Sequence, residues 1–442
     1  MALGRQPRRV AAAALSSGVL LALAACGGGG GGGGGEEAAP GGGASAPGTD
    51  PAYEQRGPIT MVQGKDTSGN VQNMIDMWNA DHPDEQVTLI ELSDEADQQR
   101  NQMIQNAETQ GSEYTILSMD VVWTAEFAAN QYVDALPKDK VDLTGFLQPT
   151  IDSVTYFDQL YGIPTTSDGG LLYYRSDWLE QAGVEVPTTY DEMKAACETV
   201  KAEVPEAEGA DCYGGQHQKY EGLTVNISEA VDGAGGHITD DSGAPTANTP
   251  EAVAGLTWMR DAFADGTIPQ AALTWTEEEG RQAFQDSKLV FHRNWPYVYN
   301  LASESDISGK FAVAPLPGLN GPGVSSLGGH NWAISKFAEN KGTALDFMIW
   351  LAAEEQQKSN ALATSQAPTR ESLYSDPEVV EAYPYMETLK ASIETARPRP
   401  KVVNYGDVTL AIQDATYTTL QGNAEPQAAF ADLQTKLEGL IQ

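Results

Sequence analysis

The 442-residue chain reads as a two-lobe α/β protein with a ligand cleft between lobes joined by crossover strands. Three observations predict this. Strand and helix patterns alternate between Ile59 and Asp120, as in a parallel sheet with helices on its faces. The chain is too long for one comfortable core, so two bodies of ordinary domain size are expected. The stretch Leu160 to Trp178 runs from a Gly-X-Pro corner, through small polar residues, Asp168 and the pair Gly169-Gly170, into the apolar run Leu171 to Tyr174. A buried strand leaving one lobe for the other has this composition, because glycine permits close backbone approach and the apolar run supplies packing. An ordinary edge strand and loop fit the same stretch.

The folded part is preceded by an export address. Arg5, Arg8 and Arg9 lead into the short apolar run Val10 to Leu23, which closes as Leu23-Ala24-Ala25-Cys26. Residues 1–25 therefore read as a secretory signal, with an apolar core too short for a comfortable membrane span. The ending resembles the lipobox of bacterial lipoproteins, which implies that Cys26 becomes an acylated N-terminus. Gly27 to Gly35 are all glycine, and the sequence stays poor in core-forming residues to about residue 56. Residues 26–56 are expected to be a lipidated tether with a typical end-to-end distance of roughly 30 Å.

Charge and cysteine content narrow the function. With 26 basic residues against 62 acidic ones, the formal charge is −36, and three of the bases lie in the signal. Such a surface repels phosphate backbones and anionic lipid heads, so nucleic acid is excluded as a partner and the membrane is met only through the N-terminal anchor. Setting Cys26 aside leaves Cys197 and Cys212, an even pair in an exported protein. A disulfide between them would close a loop of about 15 residues and constrain the unfolded chain by about 3 kcal/mol; two buried thiols are the alternative. No CxxC, HExxH or DxDxDG spacing occurs, so neither a metal nor a cofactor is expected.

In order, Ile59 to Val62 reads as a strand, and Val71, Met74, Ile75 and Trp78 as one helix face. Val87 to Leu92 is a strand, Glu95 to Thr109 a helix, and Tyr114 to Leu117 a strand with Asp120 just past its end. Ligands of such sheets meet the carboxyl ends of strands, where Asp66 and Asp120 fall. Thr189 and Glu192 form a capping box for a helix that turns Met193, Ala196, Cys197 and Val200 inward. Gly209 to Gly236 is expected to be loop-rich. Thr249-Pro250 opens a helix with Ala252, Leu256, Met259 and Phe263 on its face, and Thr276 with Glu279 caps a shorter one. Leu289 to His292 is a strand that runs into Arg293-Asn294-Trp295-Pro296-Tyr297. Phe311 to Pro315 reads as the second crossing strand, and Trp332 to Ile334 as a further strand. Leu345, Met348, Ile349 and Ala352 mark one long helix ending near Asn360, and two more begin at about Asp407 and Pro426. The expected lobes are 57–167 with 313–365, and 168–312 with 366–442.

Three patterns carry chemistry. Asp120 and Asp168, with Asp66, stand at predicted strand ends, and an ionised carboxylate can hold two vicinal hydroxyls of a sugar ring. Two such groups could equally be the acid and base of a secreted glycoside hydrolase. Trp295, Tyr297 and Tyr299 follow a strand; a pyranose packs its C–H face on such rings, although core packing is the commoner fate of tryptophan. Gly328 and Gly329 precede His330, and two glycines allow backbone N–H groups to approach a ligand. His330 is either a contact or a structural histidine.

The order Asp120-Val121-Val122-Trp123, Tyr161-Gly162-Ile163-Pro164 to Arg175, Arg293-Asn294-Trp295-Pro296-Tyr297, Leu327-Gly328-Gly329, Ala367-Pro368-Thr369-Arg370 and Arg397-Pro398-Arg399-Pro400 resembles the sugar-binding lipoproteins of bacterial ABC importers. Within the extracellular solute-binding family 1 it is most similar to the trehalose/maltose-binding group. The resemblance implies a type II periplasmic-binding-protein fold with no enzymatic activity. It further implies a carbohydrate ligand, an ABC permease partner, and a monomer anchored on the extracytoplasmic face of the cell membrane. It carries sugar contacts to Asp120, Thr166, Asp168, Trp295, Gly328, Gly329 and Arg399, with Arg397 as the alternative to Arg399 and the loop at Asp66 as a further acidic contact. His330 and Thr166 stand where members of the group can have aromatic residues, which leaves room for a different or longer sugar.

Overall fold

A computed structural model describes residues 51–441. The signal 1–25, the lipidation site Cys26 and the tether up to residue 50 lie outside the described residues. The last residues expected as tether already belong to the fold: Pro51–Glu54 forms a short 3-10 turn in which Tyr53 is buried, and Gln55 O accepts from Gly342 N at 3.1 Å.

Two mixed sheets organise the body. The first has β1 (Ile59–Gln63), β2 (Val87–Glu91), β3 (Ile116–Asp120), β6 (Ile163–Gly169) and β11 (Leu327–Ile334) in the order β2-β1-β3-β11-β6. β1, β2 and β3 are parallel and β11 runs against β3 and β6. A hairpin of β4 (Thr155–Tyr156) and β5 (Gln159–Leu160) stands apart. The second sheet has β7 (Leu171–Tyr174), β8 (Asp211–Gly214), β9 (Leu289–Asn294) and β10 (Ala312–Ala314) in the order β10-β7-β9-β8. The parallel βαβ start follows from sequence: Met74, Ile75 and Trp78 of helix Asn70–Asp81 are buried, as the helical spacing requires.

The chain passes between sheets three times. β6 ends at Gly169 and β7 begins at Leu171, so the first passage is one residue, Gly170, and Asp168, expected at the start of the second lobe, lies in a strand of the first sheet. The strand expected to make the second passage, Phe311 to Pro315, does not cross. Its β10 pairs with β7 inside the second sheet, and the chain returns to the first sheet only at Leu327. The third passage is the extended segment at Arg397, whose N donates to Ser325 O at 2.9 Å and whose O accepts from Leu327 N at 2.8 Å. Residues 367–369 add to the outer edge of β6, with Ser167 N donating to Ala367 O at 3.2 Å, so this stretch sits on the first sheet rather than in the second lobe.

Other elements differ from expectation for physical reasons. The region 209–236 contains β8 and the helix Glu221–Gly233, which is buried on nearly every side; Leu223, Ile227, Ala230 and Val231 keep helical spacing, but the many glycines of the stretch read as loop. The single helix expected through Asn360 is two, Lys341–Leu351 and Glu354–Thr364, separated at Ala352 and Ala353. The capping boxes at Thr189 and Thr276 form as read. Cys197 and Cys212 are joined as a disulfide, tying helix Tyr190–Glu203 to β8. The last two helices, Tyr405–Leu420 and Pro426–Leu440, pack on Glu221–Gly233 and Pro250–Ala264 under the second sheet.

Candidate functional site

Strand register gathers the predicted residues. Asp120, His330 and Thr166 stand in one row across β3, β11 and β6, and Asp168 pairs with Gly328 two rows further on. This is the carboxyl edge of the first sheet, where ligands of open α/β sheets bind. Gly329 has φ +106°, and a Cβ there would lie 2.2 Å from Thr166 O, so only glycine keeps the three-strand row in register. Gly328 is required by a different neighbour. A Cβ there would stand 2.7 Å from Trp295 Cζ3 and 3.2 Å from Asp168 Cβ. The indole carried on the carboxyl end of β9 in the second sheet thus abuts the first sheet beside Asp168.

The two carboxylates differ. Asp120 Oδ1 accepts from Val122 N at 3.0 Å and from Arg399 Nη2 at 2.7 Å. Arg399 is buried, and its Nη1 donates to Glu221 Oε1 at 2.5 Å; its Nε is buried without a hydrogen-bond partner. Glu221 also accepts from Tyr405 Oη at 2.5 Å and Thr409 Oγ1 at 2.7 Å. Burial pushes the Glu221 carboxyl up to about 7, against the opposing pull of Arg399. Arg397 points elsewhere, to Asp241 at 2.9 Å and Asp232 at 3.6 Å, so of the two arginines Arg399 meets Asp120. The Asp168 carboxylate accepts no hydrogen bond from a side chain or a backbone N–H among the described residues. Burial pushes it up to about 7, with Arg293 lowering it and Asp120 raising it further.

The remaining candidates divide. Thr166 Oγ1 accepts from His330 N at 3.1 Å, and burial holds His330 below the usual histidine range. Both line a cavity of about 220 Å³ in the first lobe together with Gln63, Asp66, Asn360 and Pro368. Asp66 is at this cavity, but its carboxylate is engaged by its own loop: Oδ1 accepts from Ser68 N and Oγ at 2.9 and 2.6 Å, and Oδ2 accepts from Val71 N at 3.0 Å. Tyr297 is anchored to the second lobe, where its hydroxyl donates to Glu278 Oε1 at 2.8 Å. A second cavity of about 210 Å³ is lined by Val121, Val122, Pro149, Leu327, Pro398 and Arg399. Trp295 and Asp168 line neither, since they meet at the junction between the sheets. Sequence reading missed Glu221, Glu229 and Gln216, all in the stretch taken as loop. No group of three or more metal-ligating side chains occurs among the described residues.

Two sheets meeting at a groove across three chain passages, with polar residues converging at strand ends, define a two-lobe solute-binding protein. Residues 73–388 match the model of the bacterial extracellular solute-binding proteins, and the chain belongs to that family. It is 30% identical over 365 residues to a probable ABC transporter-binding protein of Deinococcus radiodurans, covering 79% of this chain and 86% of that one. A lactose-binding protein of Rhizobium radiobacter is 28% identical over 294 residues, 63% of this chain and 66% of the relative. Among solved structures, maltose-bound MalE3 of T. maritima superposes with a TM-score of 0.83 at 33% identity, covering 87% of this chain and 100% of that one. The fold is therefore of the type II periplasmic-binding kind. The family is extracytoplasmic and consists of binding proteins, so the hydrolase alternative falls.

Proposed function

We propose that this protein is the sugar-binding component of an ABC importer, capturing a di- or oligosaccharide by hinge closure and delivering it to a membrane permease. A trehalose- or maltose-like α-glucoside is the favoured ligand, in keeping with the maltose held by the Thermotoga neighbour at 33% identity. Lactose- and galactooligosaccharide-binding relatives support the wider class of sugar. Cys26 is the proposed lipid anchor, and the protein acts as a monomer.

The observation that carries this reading is the junction at Gly328, where the Trp295 ring from the second sheet and the Cβ of Asp168 from the first stand against the same glycine. A pyranose needs both an aromatic face and hydroxyl acceptors. In the proposed site Trp295 stacks on the sugar, while Asp168 and the free oxygen of Asp120 accept hydroxyls. Arg399, Thr166, Gly328, Gly329 and His330 complete the rim. Asp66 shapes the first-lobe cavity through its loop, and Tyr297, two residues after Trp295, is tied to the second lobe by its bond to Glu278. A sugar touching both lobes favours the closed state by its differential contacts.

A thermal-shift screen with mono-, di- and oligosaccharides identifies the ligand, since occupancy of the native state raises its melting point. Calorimetry with the best of them then tests the site. Trp295→Ala is expected to weaken binding at least tenfold, and unchanged affinity removes the indole from it.

A further inference from the structure

Arg293, near the end of β9, is fully buried. Its Nε and Nη2 donate to Glu229 Oε2 and Oε1 at 2.8 and 2.5 Å, and its Nη1 donates to Gln216 Oε1 at 3.0 Å. With its edge occupied, the guanidinium presents its flat face to Trp295, with Cζ 3.8 Å from the ring centroid. Glu229 Oε1 also accepts from Ser326 N at 3.1 Å, where the chain enters the first sheet on its second passage. Gly170, the first passage, packs on the same pair: a Cβ there would be 2.7 Å from both Arg293 Nη2 and Glu229 Oε1. One ion pair therefore touches two of the three passages and one face of the indole.

We infer that Arg293, held by Glu229, is a positioning residue for carbohydrate recognition. It fixes the plane of Trp295 relative to the two passages, so that the ring meets a pyranose with its other side. This rests on the proposed sugar-stacking role of Trp295. Arginine suits the task because its planar fork can bond a carboxylate along its edge and stack across its face at once. Lysine could keep the charge pair with Glu229 but has no plane to offer. Lysine also loses the bidentate bond to Glu229 and the bond to Gln216, so a purely structural ion pair would show its loss in stability with the indole unmoved, whereas loss of a positioning residue displaces the Trp295 ring.

The test uses the full folded chain labelled with 5-fluorotryptophan, with Trp295→Phe assigning the Trp295 ¹⁹F resonance. Arg293→Lys is expected to shift or broaden that resonance more than any other tryptophan signal, and to weaken maltose binding in calorimetry at least tenfold. An unmoved Trp295 resonance in Arg293→Lys overturns the inference, as does wild-type maltose affinity. Should Arg293→Lys fail to fold, Glu229→Gln is read by the same resonance: a displaced Trp295 signal supports the inference and an unmoved one overturns it. The two readings separate cleanly. A wild-type protein that binds neither maltose, trehalose nor lactose defeats the sugar assignment, while the fluorine spectra still decide whether Arg293 orients Trp295.

Discussion

At the scale of single residues, Asp168 is the side chain whose chemistry is least satisfied by the fold. Its carboxylate accepts no hydrogen bond among the described residues, and burial raises it to about 7. A folded-state value above the unfolded one means that the native protein binds the extra proton. The stability from that proton is complete below about pH 4, and is lost as pH rises through about 7. Sugar hydroxyls donating to Asp168 favour its ionised form, so ligand binding should release a proton in the same window. Affinity is expected to rise between about pH 5.5 and 8, with calorimetry in buffers of different ionisation enthalpy reporting the proton. Asp168→Asn should flatten the profile. Glu221, also raised to about 7, leaves a residual slope because Arg399 couples it to Asp120 in the proposed site. An Asp168→Asn profile as steep as that of the wild type excludes Asp168 as the group the sugar ionises.

At the scale of elements, β11 depends on a residue that cannot carry a side chain. Alanine at Gly329 meets both a left-handed backbone and Thr166 O at 2.2 Å, whereas at Gly309 it meets only φ +71° with open space. Gly309→Ala should cost about 1 kcal/mol from conformation alone, and Gly329→Ala a further ~1–3 kcal/mol from backbone displacement. Denaturant midpoints measure both, and equal losses would mean that β6 yields to the extra methyl. The early strands and helices and both capping boxes are legible because each rests on local periodicity or a cap, and the disulfide because two cysteines remain once Cys26 is set aside; the glycines mark a passage near Thr165 to Gly170 but not its position at Gly170. Helix Glu221–Gly233 is not legible in the same way, because Gly209, Gly214, Gly215, Gly222, Gly233, Gly235 and Gly236 punctuate the stretch as loop despite the helical spacing of Leu223, Ile227, Ala230 and Val231. Its loss hid Glu221 and Glu229, the partners of Arg399 and Arg293. The crossing assigned to Phe311–Pro315 failed because a short apolar strand carries no sign of which sheet it will join. Asp120, Thr166, His330, Asp168 and Gly328 were found one by one, but their rows depend on long-range register.

At the scale of the whole molecule, the question is what holds two sheets against each other when three passages leave them free to hinge. Arg399 answers it electrostatically, because one guanidinium arm bonds Asp120 at the edge of the first sheet and the other bonds Glu221 under the second. Both carboxylates then depend on one buried cation. Breaking a buried pair by removing one partner typically costs about 3–5 kcal/mol, and here that cost falls on the state in which the sheets are together. Opening the groove would hydrate Asp120 and relieve part of it, so loss of Arg399 shifts the population toward separated lobes even without sugar. A tenfold change in that equilibrium needs only about 1.4 kcal/mol, well inside the expected cost. Arg399→Met, which keeps the length of the side chain and removes its charge, should therefore give a larger radius of gyration in solution scattering than the wild type. Maltose should then compact the variant only at a concentration at least tenfold higher. If the variant and wild-type curves superpose both with and without maltose, Arg399 does not set the balance, and closure must be governed by the sugar and the passages alone.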